Sequence, residues 1–333
     1  MPFTDPSSEP SVGVAPYSGC GGEMSTPGSS ASEFAFDLGS FRRYLLALGR
    51  AQGTVRHYTA AVRHFYAYLE QKFEFLDACE ITPDHVRGFI ALKLETSSSA
   101  SAYHHAQALR SYFGFLESEG AIDRSPAENV RPPQAKTEPA KLLELAEIRR
   151  MLRACRGGRF FDRRDLAMLR MFVSTGARCS EVANLKINPL DYGEGDVDLD
   201  HGTVRFIGKG GFGRSCSLDR DTVRAVERYL RMRSRHPKSH LPNLWLTGFG
   251  GISNNGMDDA IRRRAEIAGI KRFHLHRIRH TFAHEWLKTG GNEGDLMRVM
   301  GWRSREMVDY YAASVAEERS IDAARKYAMS LGL

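Results

Sequence analysis

Six residues in the second half of this 333-residue chain bear groups that together suit one kind of chemistry: Arg178, Lys209, His276, Arg279, Trp302 and Tyr311. Two guanidiniums and an ammonium can hold a phosphodiester, an imidazole can move a proton, and a phenol can attack phosphorus. Arg178 follows a helix-ending Gly176 and precedes a new turn. Glu181, three residues on, lies beside it, either orienting it towards a phosphate or forming an ordinary surface pair. Lys209 falls in GKGGFG, whose glycines let backbone approach a ligand closely, and no other lysine occurs between Lys186 and Lys238.

His276, Arg279 and His280 share one face of a helix, and Leu275, Ile278, Phe282 and Trp286 form the adjoining apolar stripe. An unpaired arginine is expensive to bury, so an arginine at such an edge expects an anionic guest. Trp302 can donate one N–H and pack neighbouring helices together, but it cannot move a proton. Two adjacent phenols, Tyr310 and Tyr311, compete for the role of nucleophile. Ser304 is a fitting helix cap with Glu306 in the first turn, and Met307, Val308, Ala312 and Val315 then mark the inward stripe. Tyr311 falls inside that stripe, whereas Tyr310 points about 130° from its centre.

The elements that must position these groups are mostly helical. Phe41, Tyr44, Leu45 and Leu48 follow one helical stripe, and Val55, Tyr58, Val62, Phe65, Tyr66 and Leu69 follow another. A third helix starts at Thr82-Pro83, with threonine as cap, and a fourth spans about 100–119. Four helices in about 100 residues predict a small bundle over 33–130. RSPAENVRPPQAKTEPAK, residues 124–141, has four prolines and no apolar period, and reads as a linker, its core at 131–141. A second domain, 142–333, follows with helices near 142–155, 163–175, 219–235, 254–269 and 275–289. Short strands at 204–208 and 214–218 flank the Lys209 turn.

Composition narrows the class of partner. Net charge is +7, and the first 32 residues hold three acids and no base, which leaves the remainder at +10. A basic globular body points to a polyanion, either nucleic acid or a membrane surface. Those first 32 residues contain eight Ser, five Pro and five Gly, and read as a disordered tail. The five cysteines are scattered without CxxC or paired Cys/His spacing, so neither a disulfide framework nor a metal site is expected. The first residues lack the basic-then-apolar layout of a secretory leader and no run of ~20 apolar residues occurs, so the chain is expected to be cytoplasmic.

The local contexts TGARCSE, GKGG, HRIRH, MGW and MVDYYA resemble, in order and spacing, the catalytic boxes of the tyrosine recombinases, the integrase family of site-specific DNA recombinases. The resemblance covers roughly residues 33–333. It implies a mainly α fold with a small β-hairpin (α+β), arranged as a two-domain C-shaped clamp. In the family, the residues matching Arg178 and Arg279 stabilise charge on the phosphorus and the hairpin lysine, Lys209 here, protonates the departing 5′ oxygen. The resemblance assigns proton transfer with the tyrosine to His276 and a supporting role to His280. Trp302 stands where many relatives have histidine and some tryptophan. Tyr311 lies nine residues after Trp302, the family's usual interval, and is the nucleophile the resemblance selects.

The implied reaction cuts duplex DNA at a specific recombination site through a 3′-phosphotyrosyl link. It rejoins the strands in a homo-tetramer by way of a Holliday junction, for integration, excision or resolution, with no metal, ATP or other cofactor. The place of action would be the nucleoid. The tail leaves room for an accessory factor, and segment 317–333 would fold back on its own core or dock into a neighbouring protomer. Type IB topoisomerases and telomere-resolving enzymes use similar chemistry, and a non-catalytic architectural DNA-binding protein is the alternative from a different class.

Overall fold

The computed structural model describes residues 27–73, 76–132, 141–191, 194–207, 213–312, and 320, 321 and 324, with side chains from residue 34 onward. The chain divides into two compact units, Met1–Glu138 and Pro139–Leu333.

The first unit is built from α1 (Pro27–Ala47), α2 (Gln52–Phe73), α3 (Pro83–Thr96) and α4 (Ser99–Ser118). Each buries a stripe at helical spacing. Phe41, Leu45, Val62, Phe65, Leu69, Phe89, Leu109, Tyr112 and Phe113 meet in one aromatic-rich core. Edge-to-face contacts dominate it, such as Phe65 against Phe89 at 5.3 Å. Thr82 caps α3 as its sequence predicts, with His85 reaching back to the Thr82 N–H at 3.1 Å.

Three details differ from the sequence reading. Helix α1 begins six residues inside the expected tail, because Phe34 stacks on Tyr66 at 3.9 Å and the helix runs upstream from that contact. Pro27 takes its first position, where a missing N–H costs nothing. Residues 1–26 lie outside the described residues. Leu48 falls beyond the end of α1 and is exposed. In the segment read as a linker, Ser125, Ala127 and Val130 are buried, and Arg110 donates to the Val130 carbonyl at 2.8 Å. Missing periodicity rules out a helix there, but not packing. Residues 133–140 lie outside the described residues.

The second unit contains α5 (Leu145–Ala154), α6 (Phe160–Thr175), the short α7 (Cys179–Ala183), β1 (Val197–Asp198), β2 (Thr203–Ile207), β3 (Gly213–Ser217), α8 (Arg220–Arg233), α9 (Asn254–Ile267), α10 (His276–Lys288) and α11 (Glu293–Met300). A last described helix, α12, covers 306–312. The sheet is antiparallel in the order β1-β2-β3, with Val204 opposite Cys216 and Phe206 opposite Arg214. Strand β1 and helices α7 and α11 are too short for the sequence pattern to announce. Helix α6 runs through the core with Ala167, Met168, Leu169, Met171 and Phe172 all buried. A separate apolar cluster, formed by Ala283, Leu287, Leu296, Met300, Trp302, Val308 and Tyr311, joins α10, α11 and α12. Among the described residues, no helix is long and apolar enough to cross a membrane.

Candidate active site

Two glycines in left-handed conformation end the helices that frame the site. Gly176 closes α6 at φ 59° and Gly301 closes α11 at φ 62°. A side chain at 176 would collide with the Phe282 ring, its Cβ only 2.7 Å away. The chain therefore turns sharply out of α6, and Arg178 caps α7 two residues later.

Arg178 donates to Glu181 twice, from its backbone N–H at 2.7 Å and from Nη1 at 3.0 Å, so the i, i+3 pairing read from sequence forms. Its side chain stays 42% exposed, while that of Glu181 is only 5% exposed. Glu181 is gripped from the other side by Arg214 of β3, through Nη1 to Oε1 and Nη2 to Oε2, each at 2.7 Å. Arg214 also donates from Nε to the Val299 carbonyl at 2.6 Å. Burial would raise the Glu181 pKa. The Arg214 hydrogen bonds, the Arg178 N–H and both arginine charges outweigh it and hold the carboxyl at about 2.

Arg214 was not singled out in the sequence, although a signal exists. Positions 214, 216 and 218 alternate onto one face of a strand, and Cys216 and Leu218 are buried. An arginine in that inward series calls for a buried partner. Its guanidinium lies over the Phe206 ring at 5.0 Å.

Arg279 is almost fully buried, deeper than the helix edge expected for it. It is not unpaired: Nη1 donates to the Gly176 carbonyl and Nη2 to the Met300 carbonyl, both at 2.7 Å. Those carbonyls sit at the negative ends of α6 and α11, so one cation ties two helix C-termini together. Burial, with Arg178 as the next cause, lowers its pKa to about 10, which leaves it charged at neutral pH.

Tyr311 is buried and Tyr310 only half-buried, as the sequence stripe predicts. Met307 departs from that stripe: it is exposed, and the inward face is centred on Val308 and Tyr311. Val315 lies outside the described residues. Ser304 caps the turn into α12, accepting from the Glu306 N–H at 3.2 Å. The Tyr311 ring stacks on Trp302 at 5.1 Å with 12° between planes, and the Arg279 guanidinium lies 5.7 Å from the Trp302 ring centroid.

The phenol oxygen of Tyr311 is hydrogen-bonded to His280 Nδ1, not to His276. His276 packs edge-on against His280, 4.7 Å away between centroids. Burial, then the neighbouring His276, His274 and Arg279, pushes His280 down to about 4. It is neutral near pH 7, and in the tautomer that carries the ring proton on Nε2 the bare Nδ1 can accept from the phenol. Burial raises the Tyr311 pKa to about 12 against the pull of Arg279. The His276 pKa is lowered by surrounding protein, with Arg279, His274 and Arg178 acting the same way.

Five of the six sequence-selected residues, with Glu181 and His280, thus fall in one connected neighbourhood of contacts. The sixth, Lys209, lies outside the described residues, as does its turn, 208–212. Beside the cluster runs a groove of about 1320 Å³, lined in part by Arg178, Arg214, Arg298, Arg303 and Trp302. Among the described residues, no group of three or more His, Cys, Asp or Glu is placed to hold a metal ion.

A model of the phage integrase family matches residues 141–318, more than half of the chain. The chain belongs to the phage integrase family. A second match, to the phage integrase N-terminal SAM-like domain, covers residues 38–120. Among curated relatives of this integrase-family chain is tyrosine recombinase XerD of Listeria monocytogenes serotype 4b (strain F2365), 26% identical, with 76% of this chain and 85% of that protein covered. The fold matches XerH site-specific recombinase bound to a palindromic difH substrate, with TM-score 0.66, 17% identity, and 81% and 79% of the two chains covered. It also matches a lambda integrase tetramer bound to a Holliday junction, with TM-score 0.63, 15% identity, and 84% and 76% covered. This integrase-family chain is a site-specific tyrosine recombinase. The topoisomerase, telomere-resolving and architectural readings are not favoured.

Proposed function

We propose that this recombinase cuts and rejoins duplex DNA at a specific site, with Tyr311 as the nucleophile. The carrying observation is the setting of the Tyr311 phenol, which is stacked on Trp302 and bonded to His280. In the proposed step the Tyr311 oxygen attacks the scissile phosphorus while the bond to the 5′ oxygen breaks. A 3′-phosphotyrosyl link forms, and the departing strand leaves as a 5′ hydroxyl. Arg178 and Arg279 neutralise charge gathering on the phosphoryl oxygens, which accelerates the step because their positions are fixed beforehand. His280 takes the phenolic proton and His276 supports it from the edge-on contact.

Lys209 is proposed as the acid that protonates the 5′ oxygen, in keeping with its being the only lysine between Lys186 and Lys238. Glu181 and Arg214 position Arg178. Because the link conserves phosphodiester energy, attack by a 5′ hydroxyl on the phosphotyrosine restores DNA and the free phenol. Two such rounds in a homo-tetramer would pass through a Holliday junction, as the lambda integrase assembly supports. We further propose action at the nucleoid in the cytoplasm, with an N-terminal tail, a helical DNA-binding domain at 33–130, a linker, and a catalytic domain at 142–333.

Incubation with a duplex that carries the cognate site and a nick to trap the intermediate tests this reading. A DNA-linked protein that survives denaturant, formed in excess chelator, is the expected product. Failure to form it unless a divalent ion is supplied, with DNA binding intact, would contradict the mechanism.

A further inference from the structure

We propose that the second unit carries a separate binding pocket for a compact polyphosphate anion. Arg156, Arg163, Arg170, Arg224 and Arg228 line one recess of about 460 Å³ where the end of α5, the outer stripe of α6 and α8 come together. Leu152, Leu166 and Ala225 line it as well. Among the described residues, the recess shares none with the groove beside Tyr311. From Arg163 to the C-terminal end of α6, where Gly176 and Arg178 follow, is roughly 18 Å along the helix axis.

Helical phase builds the pocket. Arg163, Leu166 and Arg170 fall at i, i+3 and i+7 on α6, and Asp221, Arg224, Ala225 and Arg228 at i, i+3, i+4 and i+7 on α8. The helices pack along their length, which turns two separate stripes into facing walls.

Internal acids do not account for this charge. Among the described residues, Asp221 is the one acid lining the recess, and it pairs with Arg170 at 3.1 Å. Asp162, nearby at the start of α6, is bound by Arg264 at 2.9 Å. The side chains of Arg156, Arg163, Arg224 and Arg228 have no hydrogen bond, ion pair or ring contact among the described residues. Like charges at i, i+4, as in Arg224 and Arg228, disfavour the bare helix. An anion in the recess would remove that repulsion.

Arginine forks donate to phosphate oxygens two at a time, and the volume is that of a small-molecule site. A DNA strand offers one phosphate charge per about 3.4 Å of helix axis, with the phosphates farther apart along the backbone itself, so the recess would match only one or two of them. A condensed phosphate chain places three or more charges within the same space, and it fits the five arginines better.

Isothermal titration of the full chain with inorganic tripolyphosphate, at fixed ionic strength and with sulfate as control, tests the proposal. The expected result is one saturable site per chain that sulfate does not mimic. In the Arg224→Ala/Arg228→Ala variant the affinity should fall about tenfold or more, since charged hydrogen bonds are lost. Both substitutions are at exposed helix positions, and circular dichroism verifies the fold. Arg178→Ala should bind tripolyphosphate as the wild type does. The proposal is overturned by absence of saturable binding, or by loss in Arg178→Ala with retention in the double variant. It is also overturned if the double variant weakens duplex DNA binding as much as tripolyphosphate binding, which would give the recess to the DNA backbone.

Discussion

Arg214 holds both carboxylate oxygens of Glu181 at 2.7 Å, and Glu181 in turn holds Arg178 at 3.0 Å. The arginine that faces the groove is therefore oriented by a second, half-buried arginine on the hairpin strand. Such a relay fixes the direction of Arg178 without consuming its remaining donors. It also makes the orientation of one catalytic candidate depend on the folding of β3.

Replacing Arg214 with alanine should cost about 3 kcal/mol of stability, the lower end for removing one partner of a buried pair, because Arg178 still contacts Glu181. Arg178→Ala, at a half-exposed side chain, should cost about 1 kcal/mol or less. Glu181 is held at about 2, below its ordinary 4.5, so its contribution is present above pH 4.5 and is lost as pH falls from 4.5 towards 2. Urea unfolding at neutral pH and at pH 3 measures both effects. Equal stability of the two variants at neutral pH would remove the relay.

Arg279→Ala should still bind the cognate duplex, since many phosphate contacts share the affinity, but form the covalent intermediate roughly 10²–10³-fold more slowly. The measurement is single-turnover cleavage at saturating protein beside a gel-shift titration. Normal cleavage once bound would take Arg279 out of the reacting centre.

Gly176→Ala should be among the most damaging small substitutions in the second unit. It puts a side chain at φ 59° and 2.7 Å from the Phe282 ring, and it disturbs the carbonyl that holds Arg279. A loss of about 2 kcal/mol or more is expected from strain plus the clash. Wild-type stability with full cleavage would show that the α6 turn is more adaptable than its packing indicates.

The His280 ring should resist protonation. Its folded pKa of about 4 lies below the ordinary 6.5, so the fold favours the neutral ring. That stability is fully present above pH 6.5 and declines as pH falls through 6.5 towards 4, by at most about 2 kcal/mol at pH 5. Histidine NMR should show His280 still neutral at pH 5, and His280→Asn should flatten the acid-side loss of stability. A ring that titrates near 6.5 would contradict the buried contact with Tyr311.

Much of this site was legible because it rests on helices long enough to display a period. The HRIRH helix and the inward turn of Tyr311 follow from 3.6-residue spacing. Met307 misleads at the edge of that same pattern, because α12 centres its buried face on Val308 and Tyr311. Arg214 escaped because a charged residue in a five-residue strand reads as solvent-facing until its alternation with Cys216 and Leu218 is counted. The His280 contact was beyond reach for a different reason. Neighbours one turn apart, His276 and His280 share a helical face, and only the approach of α12 decides which meets the phenol.

Trapping the covalent intermediate and mapping it by peptide analysis tests the central claim most directly. Tyr311→Phe keeps the ring stacked on Trp302 but removes the oxygen proposed to attack. It should fold, bind the cognate duplex and form no adduct. Tyr310→Phe should still yield a DNA-linked protein that survives denaturant, with the DNA on residue 311. DNA found on residue 310, or an adduct that persists in Tyr311→Phe, would contradict the account.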